Sequence, residues 1–459
     1  MTTATLSRGP GRLALGAVLI GVAAGFACLP REAAVVAALA WGMTLLWFLP
    51  REMNVMLPLL LLLSVPADYI AGLDGPAHGF FVLGATLTLC LAAGLRSGFA
   101  SPSLDDWDLY ALIAVLCGAT LLHASNGELR GVLFWIGAGL FLWWLRAEER
   151  GASDVRGQVV HALLFAGALG GLIAIIDRAH LFDAARLIPG YEPHELEFSL
   201  ESGSRAAALS GHPLRFGSLA MLSSIFALAY ATDEQVVGGR KRLYVGLLFL
   251  SLAGLVLSGA RGSWLGAAIA LVSFLLLRFR SGSWRAAERV LVYVAGAAIL
   301  VWASGLFRLI QSRLFGAAFH PGSINQRVLV VEGIRYVWTQ VPLFGVGFGG
   351  AAEMGMRMGL RLLNLENEYL RFFFTAGFAG PIALLLVGIR RMRAAASRLS
   401  SAPVRTGTLC ALPAILVNVG TYNLFSWSMG PPLLAALAFL AMPTTSSGAN
   451  HAAMARSSH

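Results

Sequence analysis

Apolar segments long enough to cross a membrane recur along almost the whole of this sequence. A helix needs about 20 mostly apolar residues to span a bilayer, and we count about fourteen candidates, with a margin of about two because several are short or could be re-entrant. The predicted spans are residues 13–30, 33–49, 54–71, 78–95, 107–124, 129–145, 157–176, 213–231, 243–259, 263–277, 289–307, 369–389, 407–424 and 427–442. We therefore predict an all-α, polytopic transmembrane helical bundle of about 12–14 helices.

Charged residues are too scarce for a water-soluble surface. They make up 13% of the chain, against about 25% in soluble proteins. The formal net charge is +10, but the basic residues lie mainly between apolar segments, where they set orientation and meet anionic membrane lipid. We therefore expect a membrane partner and no nucleic acid.

Basic residues of the short loops indicate how the bundle is oriented. With the amino terminus inside, the cytoplasmic loops hold Arg8, Arg12, Arg51, Arg96, Arg146, Arg150, Arg156, Arg240, Lys241, Arg242, Arg278, Arg280, Arg285, Arg289, Arg390, Arg391, Arg393, Arg398 and Arg405. The short loops on the other side hold only Arg31, Arg130 and Arg261. Short cytoplasmic loops are enriched in Lys and Arg, so we predict that both termini are cytoplasmic. No convincing cleavage site follows the first apolar stretch, so we also predict that the first helix is retained.

This orientation divides the chain into six segments. They are N-terminal helices over 1–176, a first periplasmic segment over 177–212, central helices over 213–307, a long periplasmic loop with catalytic elements over 308–368, C-terminal helices over 369–442, and a disordered tail over 443–459. Arginines gather in the two outer segments, although the orientation rule does not bind long translocated segments. They either pair with nearby glutamates or bind an anionic substrate.

The first two motifs carry arginines at the outer ends of helices. Arg205 precedes His212-Pro213 and Arg215, and Pro213 suits the first turn of a helix. Such a helix terminus next to Arg205 suits a phosphate, unless the preceding acids neutralise the arginine. Arg261 lies in the turn Ser258–Trp264 between two apolar spans, where it either meets an anion or extends to the membrane surface.

The other two motifs lie in and after the second outer segment. Residues 325–340, with Arg327, predict an amphipathic surface helix. The glycines of Pro342–Gly349 follow no strand and precede no Gly-Lys-Ser, so they indicate a tight turn and not a nucleotide loop. The run Asn364–Arg371 contains Glu366, which could take a proton from a hydroxyl nucleophile, or it is simply a helix cap.

Other polar residues show no pattern of a metal or redox site. The four cysteines, Cys28, Cys90, Cys117 and Cys410, lie inside apolar runs at no metal-binding spacing. The isolated histidines His78, His123, His161 and His180 are interpreted as structural. We expect no metal and no cofactor.

Together these motifs resemble the O-antigen ligase and polymerase superfamily of bacterial envelopes, which includes Wzy-type polysaccharide polymerases. The resemblance covers roughly residues 200–380. Its pieces, in family order, are Arg205 to Pro213, Ser258 to Gly262, Arg327 with Pro342 to Gly347, and Asn367 to Leu370 with Gly377 and Gly380.

The resemblance implies a metal-independent glycosyltransferase with a GT-C-like bundle in the bacterial inner membrane. Its active site would face the periplasm, its donor would be a glycan on undecaprenyl pyrophosphate, and a chain-length regulator would be a partner. Catalytic roles are implied for Arg205, Arg327 and Glu366, since arginines bind a pyrophosphate leaving group in bidentate fashion. The predicted substrate-binding residues are Arg261, His212, Arg215, Asn367, Glu368 and Tyr369.

One departure from the family pattern bears on the reaction. Ligases of this family usually carry a histidine where this chain has Glu366, and polymerases vary more there. We therefore favour a polymerase of lipid-linked repeat units over a ligase that moves finished glycan to lipid A core or protein. Glu368, His212 and His320 remain alternative bases. A transporter or lipid flippase is the alternative of another class, although its charges would be expected near mid-membrane.

Overall fold

Helices make up nearly all of the chain that the structure describes, and no strand occurs there. In this computed structural model the described residues are 53–64, 76–97, 104–123, 129–151, 154–179, 181, 206–315, 338–339, 341–357, 367–398, 402–422, 424–426 and 429–442. They form α1 (Met56–Ser64), α2 (Pro76–Ser97), α3 (Trp107–Leu122), α4 (Leu129–Gly151), α5 (Val155–Arg178), α6 (Pro213–Thr232), α7 (Gly238–Leu257), α8 (Arg261–Arg280), α9 (Trp284–Ala303), α10 (Leu306–Phe315), α11 (Gly347–Arg357), α12 (Glu368–Ala376), α13 (Ala379–Arg398), α14 (Ala402–Val419) and α15 (Gly430–Ala441).

Five of the described helices are long and apolar enough to cross a membrane, namely α5, α6, α8, α9 and α14. Shorter apolar helices accompany them, among them α3 and most of α15. The predicted class, an all-α polytopic membrane protein, is confirmed. The spans predicted at 13–30 and 33–49, and the tail predicted at 443–459, lie outside the described residues.

Local signals in the sequence begin and end several helices. The His212 imidazole and the Asp154 carboxylate cap α6 and α5 respectively, each accepting a hydrogen bond from a backbone N–H of the first turn. These caps satisfy N–H groups that a helix leaves without intrahelical partners. Gly259 after α7 and Gly305 after α9 have φ values of 60° and 75°, a conformation that glycine adopts without a steric penalty.

The two ends of the bundle carry different side chains. One end, called here the motif end, holds His212, Gly262 and Asn367, which meet the chain that follows α14. The opposite end, called the basic end, holds Arg146 and Arg391, which meet at Asp106. The predicted sequence motifs therefore gather at one end of the helices.

The single span predicted over 369–389 is wrong, because two helices, α12 and α13, occupy this segment. Gly377, with a φ of 62°, separates them. The backbone of Leu343 packs so closely on Gly377 that a side chain there has no room. The amide of Val346 donates to the Phe374 carbonyl at 2.7 Å, satisfying one of the carbonyls that the end of α12 leaves open. Such a break is tolerated at membrane depth when protein covers it.

A buried network of charges joins five helices at the basic end. Arg146 bonds Asp106 and Glu149, each at 2.9 Å, and Glu149 also bonds Arg156 at 2.9 Å. The network is completed by Arg391 with Asp106 and Asp108, Arg390 with Asp108, Arg391 with the Ala438 carbonyl, and Arg156 with the Leu440 carbonyl. We call these charged side chains the basic-end network.

Two arginines of the basic-end network are buried within helices, whereas the sequence predicted them in loops. Arg146 and Arg391 were predicted in cytoplasmic loops, yet they lie within α4 and α13 and are only 4% and 1% exposed. Their guanidinium groups therefore hold helices together instead of facing solvent. A buried charge of this kind costs free energy unless it is paired and hydrogen-bonded, and both conditions are met here.

Candidate functional site

Three of the four predicted motifs meet at Asn418–Tyr422, where α14 ends. We call this segment the α14 turn. The His212 ring stacks on Tyr422 with a centroid separation of 5.6 Å and an interplanar angle of 7°. The Asn367 amide donates to the Gly420 carbonyl at 2.9 Å. Gly262 lies so close to the Thr421 side chain that an added Cβ would collide with it.

In the first motif the His212 side chain caps the N-terminus of α6. Its Nδ1 accepts a hydrogen bond from the Leu214 amide at 3.2 Å, and Pro213 follows at the first helical position. This arrangement confirms the predicted helix start. Because Nδ1 is an acceptor, the proton of the neutral imidazole resides on Nε2. Arg215 lies within α6 and is fully buried, so its guanidinium group is located inside the bundle.

The second motif is a rigid turn between α7 and α8. The Ser258 hydroxyl donates to the Leu255 carbonyl at 2.7 Å and accepts from the Ala260 amide at 3.2 Å. The amide of Ala206 donates to the Leu257 carbonyl at 2.9 Å, which joins the first motif to the second. Arg261 is half-buried and is the first residue of α8.

In the third motif the glycines make the tight turn that the sequence predicts. The Gly345 amide donates to the Pro342 carbonyl at 2.8 Å, and Gly345 has a φ of 75°. A side chain at Gly345 would collide with the backbone of Thr375 and Ala376 at the end of α12. The turn therefore brings backbone against backbone and leads directly into α11.

The fourth motif fastens the start of α12 to the chain around and after the α14 turn. Asn367 caps α12, with its Oδ1 accepting from the Leu370 amide at 3.2 Å. The Tyr369 hydroxyl donates to the Leu416 carbonyl at 2.7 Å. Glu368 is 1% exposed, and its Oε2 accepts from the Phe425 amide at 3.1 Å. The Asn367 side chain is therefore a helix cap, as one of the two interpretations of this motif predicted.

Aromatic side chains of α4 and α12 pack next to the fourth motif. Trp135 of α4 is 1% exposed and makes edge-on contacts with Phe372 and Phe425, at centroid separations of 5.4 and 6.3 Å. Edge-to-face pairs at this separation are favourable beyond their buried area. They fix α12 and the chain after the α14 turn against α4, which limits how far the motif can move.

Asn418 is a polar residue of the site that the sequence analysis missed. Its Nδ2 donates to the Ser218 hydroxyl at 2.6 Å, and its Oδ1 accepts from the Ser263 hydroxyl at 3.3 Å. All three side chains are buried, so one amide joins α14 to α6 and α8. A lone asparagine in an apolar helix forms no motif, but amides in such helices commonly make interhelical hydrogen bonds.

Replacing Asn418 by leucine is expected to loosen the motif end. The change removes two buried interhelical hydrogen bonds, which together contribute about 1–2 kcal/mol. We expect a lower thermal unfolding temperature in detergent. Ser281→Ala is the control, because that hydroxyl is exposed near the basic end. Unchanged unfolding of Asn418→Leu would show that the bridge does not stabilise the bundle.

Three helix N-termini meet around the α14 turn, those of α6, α8 and α12. Each presents backbone N–H groups and a positive dipole end, and the arginines Arg215 and Arg261 belong to the same two helices that start there. Among the residues described, no group of three or more His, Cys, Asp or Glu side chains is placed to hold a metal ion. Helix N-termini and arginine side chains are both features that favour the binding of an anion.

Four predicted residues of the site lie outside the described residues, namely Arg205, Arg327, Glu366 and His320. The predicted amphipathic helix 325–340 also lies outside them, apart from residues 338–339, which form a turn. The described residues bring together His212, Asn367, Glu368 and Tyr369 around the chain that follows α14, and Arg261 directly precedes Gly262, which contacts Thr421 there. Arg215 is buried within α6.

Comparison with known protein families assigns the matched segment. A family model described as O-Antigen ligase matches residues 246–385. The match begins in α7, ends in α13, and includes the second, third and fourth motifs. No curated protein matches the chain at a significant level. Over residues 246–385 the chain is therefore similar to the O-antigen ligase family, which is the resemblance that its motifs indicate.

Proposed function

We propose that this protein is a glycosyltransferase that polymerises undecaprenyl-pyrophosphate-linked oligosaccharide repeat units. It would act on the periplasmic face of the inner membrane and supply O-antigen, capsule or exopolysaccharide. The observation that carries the proposal is the meeting of three motifs at the α14 turn, within and just before the segment that matches the O-antigen ligase family. A chain-length regulator is proposed as a partner.

The proposed reaction develops negative charge on the leaving group. An acceptor hydroxyl attacks the anomeric carbon of the donor sugar, and the bond from that carbon to the pyrophosphate oxygen breaks. The electron pair leaves with the lipid pyrophosphate, and a base takes the hydroxyl proton. Arg205 and Arg327 would stabilise the pyrophosphate, assisted by Arg261 at the start of α8. No metal or cofactor is proposed.

Glu366 is the proposed base, and the contacts of two of its alternatives, Glu368 and His212, support this choice. It directly precedes Asn367 in the sequence, and Asn367 is held to the α14 turn. Glu368 is buried with its Oε2 on the Phe425 amide, and the Nδ1 of His212 accepts from the Leu214 amide. These hydrogen bonds already use one carboxylate oxygen of Glu368 and the Nδ1 atom of His212, which supports Glu366 as the base.

Replacing Glu366 by glutamine is expected to lower transfer about 10²–10⁴-fold, the usual contribution of a general base. The amide keeps the shape of the side chain and cannot take the proton. Transfer of labelled lipid-linked repeat unit by purified protein measures the effect. Glu353→Gln is the matched control, because Glu353 is an exposed residue of α11. Near-normal turnover of Glu366→Gln would move the base to another residue.

A ligase is the second candidate, and the description of the matching family favours it. A ligase would transfer finished glycan from undecaprenyl pyrophosphate to lipid A core or to a protein. It would use the same donor, so the anion-binding features of the motif end serve either reaction. Glu366, at the position where the family's ligases usually carry histidine, supports the polymerase.

Deletion of the gene separates these functions. The envelope glycans, lipopolysaccharide and exopolysaccharide included, are resolved on a gel and compared with wild type. A polymerase predicts surface glycan that stops at one repeat unit, whereas a ligase predicts long chains retained on undecaprenyl pyrophosphate. A normal glycan pattern would contradict both, and loss of lipid-linked glycan from the periplasmic face would indicate a flippase.

A further inference from the structure

An apolar groove runs between α5, α7 and α9 and ends at α10. Its volume is about 790 Å³, within the range of about 300–1,000 Å³ that suits a small-molecule ligand. Leu252, Leu300 and Leu309 are typical of its lining. Its polar side chains include Arg178, at the end of α5, and Arg308, in the first turn of α10.

The groove is open because α9 touches the bundle mainly at its first turns. The buried residues of α9 are Ala286, Ala287 and Val290, all near the basic end. Farther along, Leu300 is 56% exposed and Trp302 is 74% exposed. The second half of α9 therefore leaves α5 and α7 partly uncovered.

Both arginines lie at the end of the groove where the chain leaves the predicted membrane. Arg178 ends α5 at the start of the predicted segment 177–212, and Arg308 stands at the start of 308–368. Leu257, which lines the groove, also accepts the hydrogen bond from Ala206 and precedes the Ser258 turn. An anion held by the two arginines would thus lie beside the chain that leads to the proposed active site.

We propose that this groove binds the polyprenyl chain of the lipid-linked donor, with Arg178 and Arg308 contacting its phosphates as the donor enters and before they reach Arg205 and Arg327. The inference rests on the proposed function for the identity of the lipid. An apolar groove open to the bilayer matches a hydrocarbon chain, and two guanidinium groups match the phosphates by charge. The donor enters sideways from the membrane, and its sugar is delivered at the motif end.

Binding of undecaprenyl pyrophosphate without any sugar tests the inference. Full-length protein in nanodiscs is titrated, and its thermal stabilisation is measured. Leu300→Trp, which fills the groove, should weaken binding at least tenfold, and Ile299→Trp should not. Ile299 is the next residue on α9, is 65% exposed and does not line the groove. Equal binding by Leu300→Trp and wild type would overturn the proposal.

The two arginines are tested in the same assay. Arg178→Ala and Arg308→Ala should each weaken undecaprenyl pyrophosphate binding about tenfold, whereas Arg285→Ala at the basic end should bind as wild type does. Full binding by both groove variants would remove the phosphate contact from the proposal.

Two further ligands identify what the groove accepts. Inorganic pyrophosphate should bind Leu300→Trp and wild type alike, because it has no hydrocarbon chain. Phosphatidylglycerol that competes as strongly as undecaprenyl pyrophosphate would overturn the assignment to the donor and indicate a general lipid site. Because no sugar is transferred in the assay, binding can succeed even if gene deletion leaves the envelope glycans normal, so the two proposals fail separately.

Discussion

Replacing Arg327 or Arg205 by alanine is expected to abolish glycan transfer while the protein remains in the membrane. Each proposed guanidinium stabilises charge that appears on the pyrophosphate as the sugar bond breaks. Loss of one such group typically lowers turnover about 10²–10³-fold. Turnover of purified protein with labelled lipid-linked repeat unit measures the effect, and membrane fractionation shows that the variant is inserted.

Lysine variants separate charge from geometry at the same two positions. Lysine keeps the positive charge but loses the planar pair of donors, so Arg327→Lys and Arg205→Lys should recover only part of the activity. Arg285→Ala serves as the control, because it removes an exposed arginine at the basic end. Wild-type turnover in both alanine variants would remove these residues from the proposed site.

Replacing Arg391 by methionine is expected to destabilise the whole bundle. Its guanidinium contacts Asp106 and Asp108, which are 0% and 5% exposed. Removing one partner of a buried ion pair costs about 3–5 kcal/mol, because a charge is left without compensation. Arg146 still pairs with Asp106, so the loss should lie at the lower end of that range. Thermal unfolding in detergent measures it.

A charge-matched double variant distinguishes lost pairing from lost packing. Asp108→Asn together with Arg391→Met removes both members of the pair, and it should recover part of the stability that Arg391→Met loses. Arg393→Ala is the matched control, since Arg393 lies two residues further along α13 and is exposed. If the double variant is as unstable as the sum of the single variants, charge pairing does not explain the effect.

The basic-end network also predicts sensitivity to acid. Burial by itself would raise the pKa of Asp106, but the hydrogen bonds and charges of Arg146 and Arg391 outweigh it, and the pKa lies below its usual value. A lowered folded-state pKa stabilises the fold above the unfolded pKa of about 3.9, and this stability is lost as the pH falls through the folded value. Unfolding temperature should therefore fall in strong acid, and less so in Asp106→Asn.

Several features of the motif end were predictable because they rest on local chemistry. Pro213 begins a helix since it needs no N–H donor there, and Gly345 makes a tight turn since it adopts a positive φ without strain. The break at Gly377 was not predicted, although the glycine was noted. Its cause is the approach of Leu343 from a segment more than thirty residues earlier, which local apolar pattern does not reveal.

The sequence by itself determined the class of this protein, its helical and membrane-spanning character, and the motifs that mark the O-antigen ligase family. Apolar length and the need to satisfy backbone hydrogen bonds in lipid leave no other solution for such segments. Only the tertiary structure decided which polar residues meet. Asn418 forms hydrogen bonds between α14 and two other helices, and Arg146 and Arg391 are buried ion-pair partners. Their neighbours come from distant helices, and pairing across that distance depends on packing.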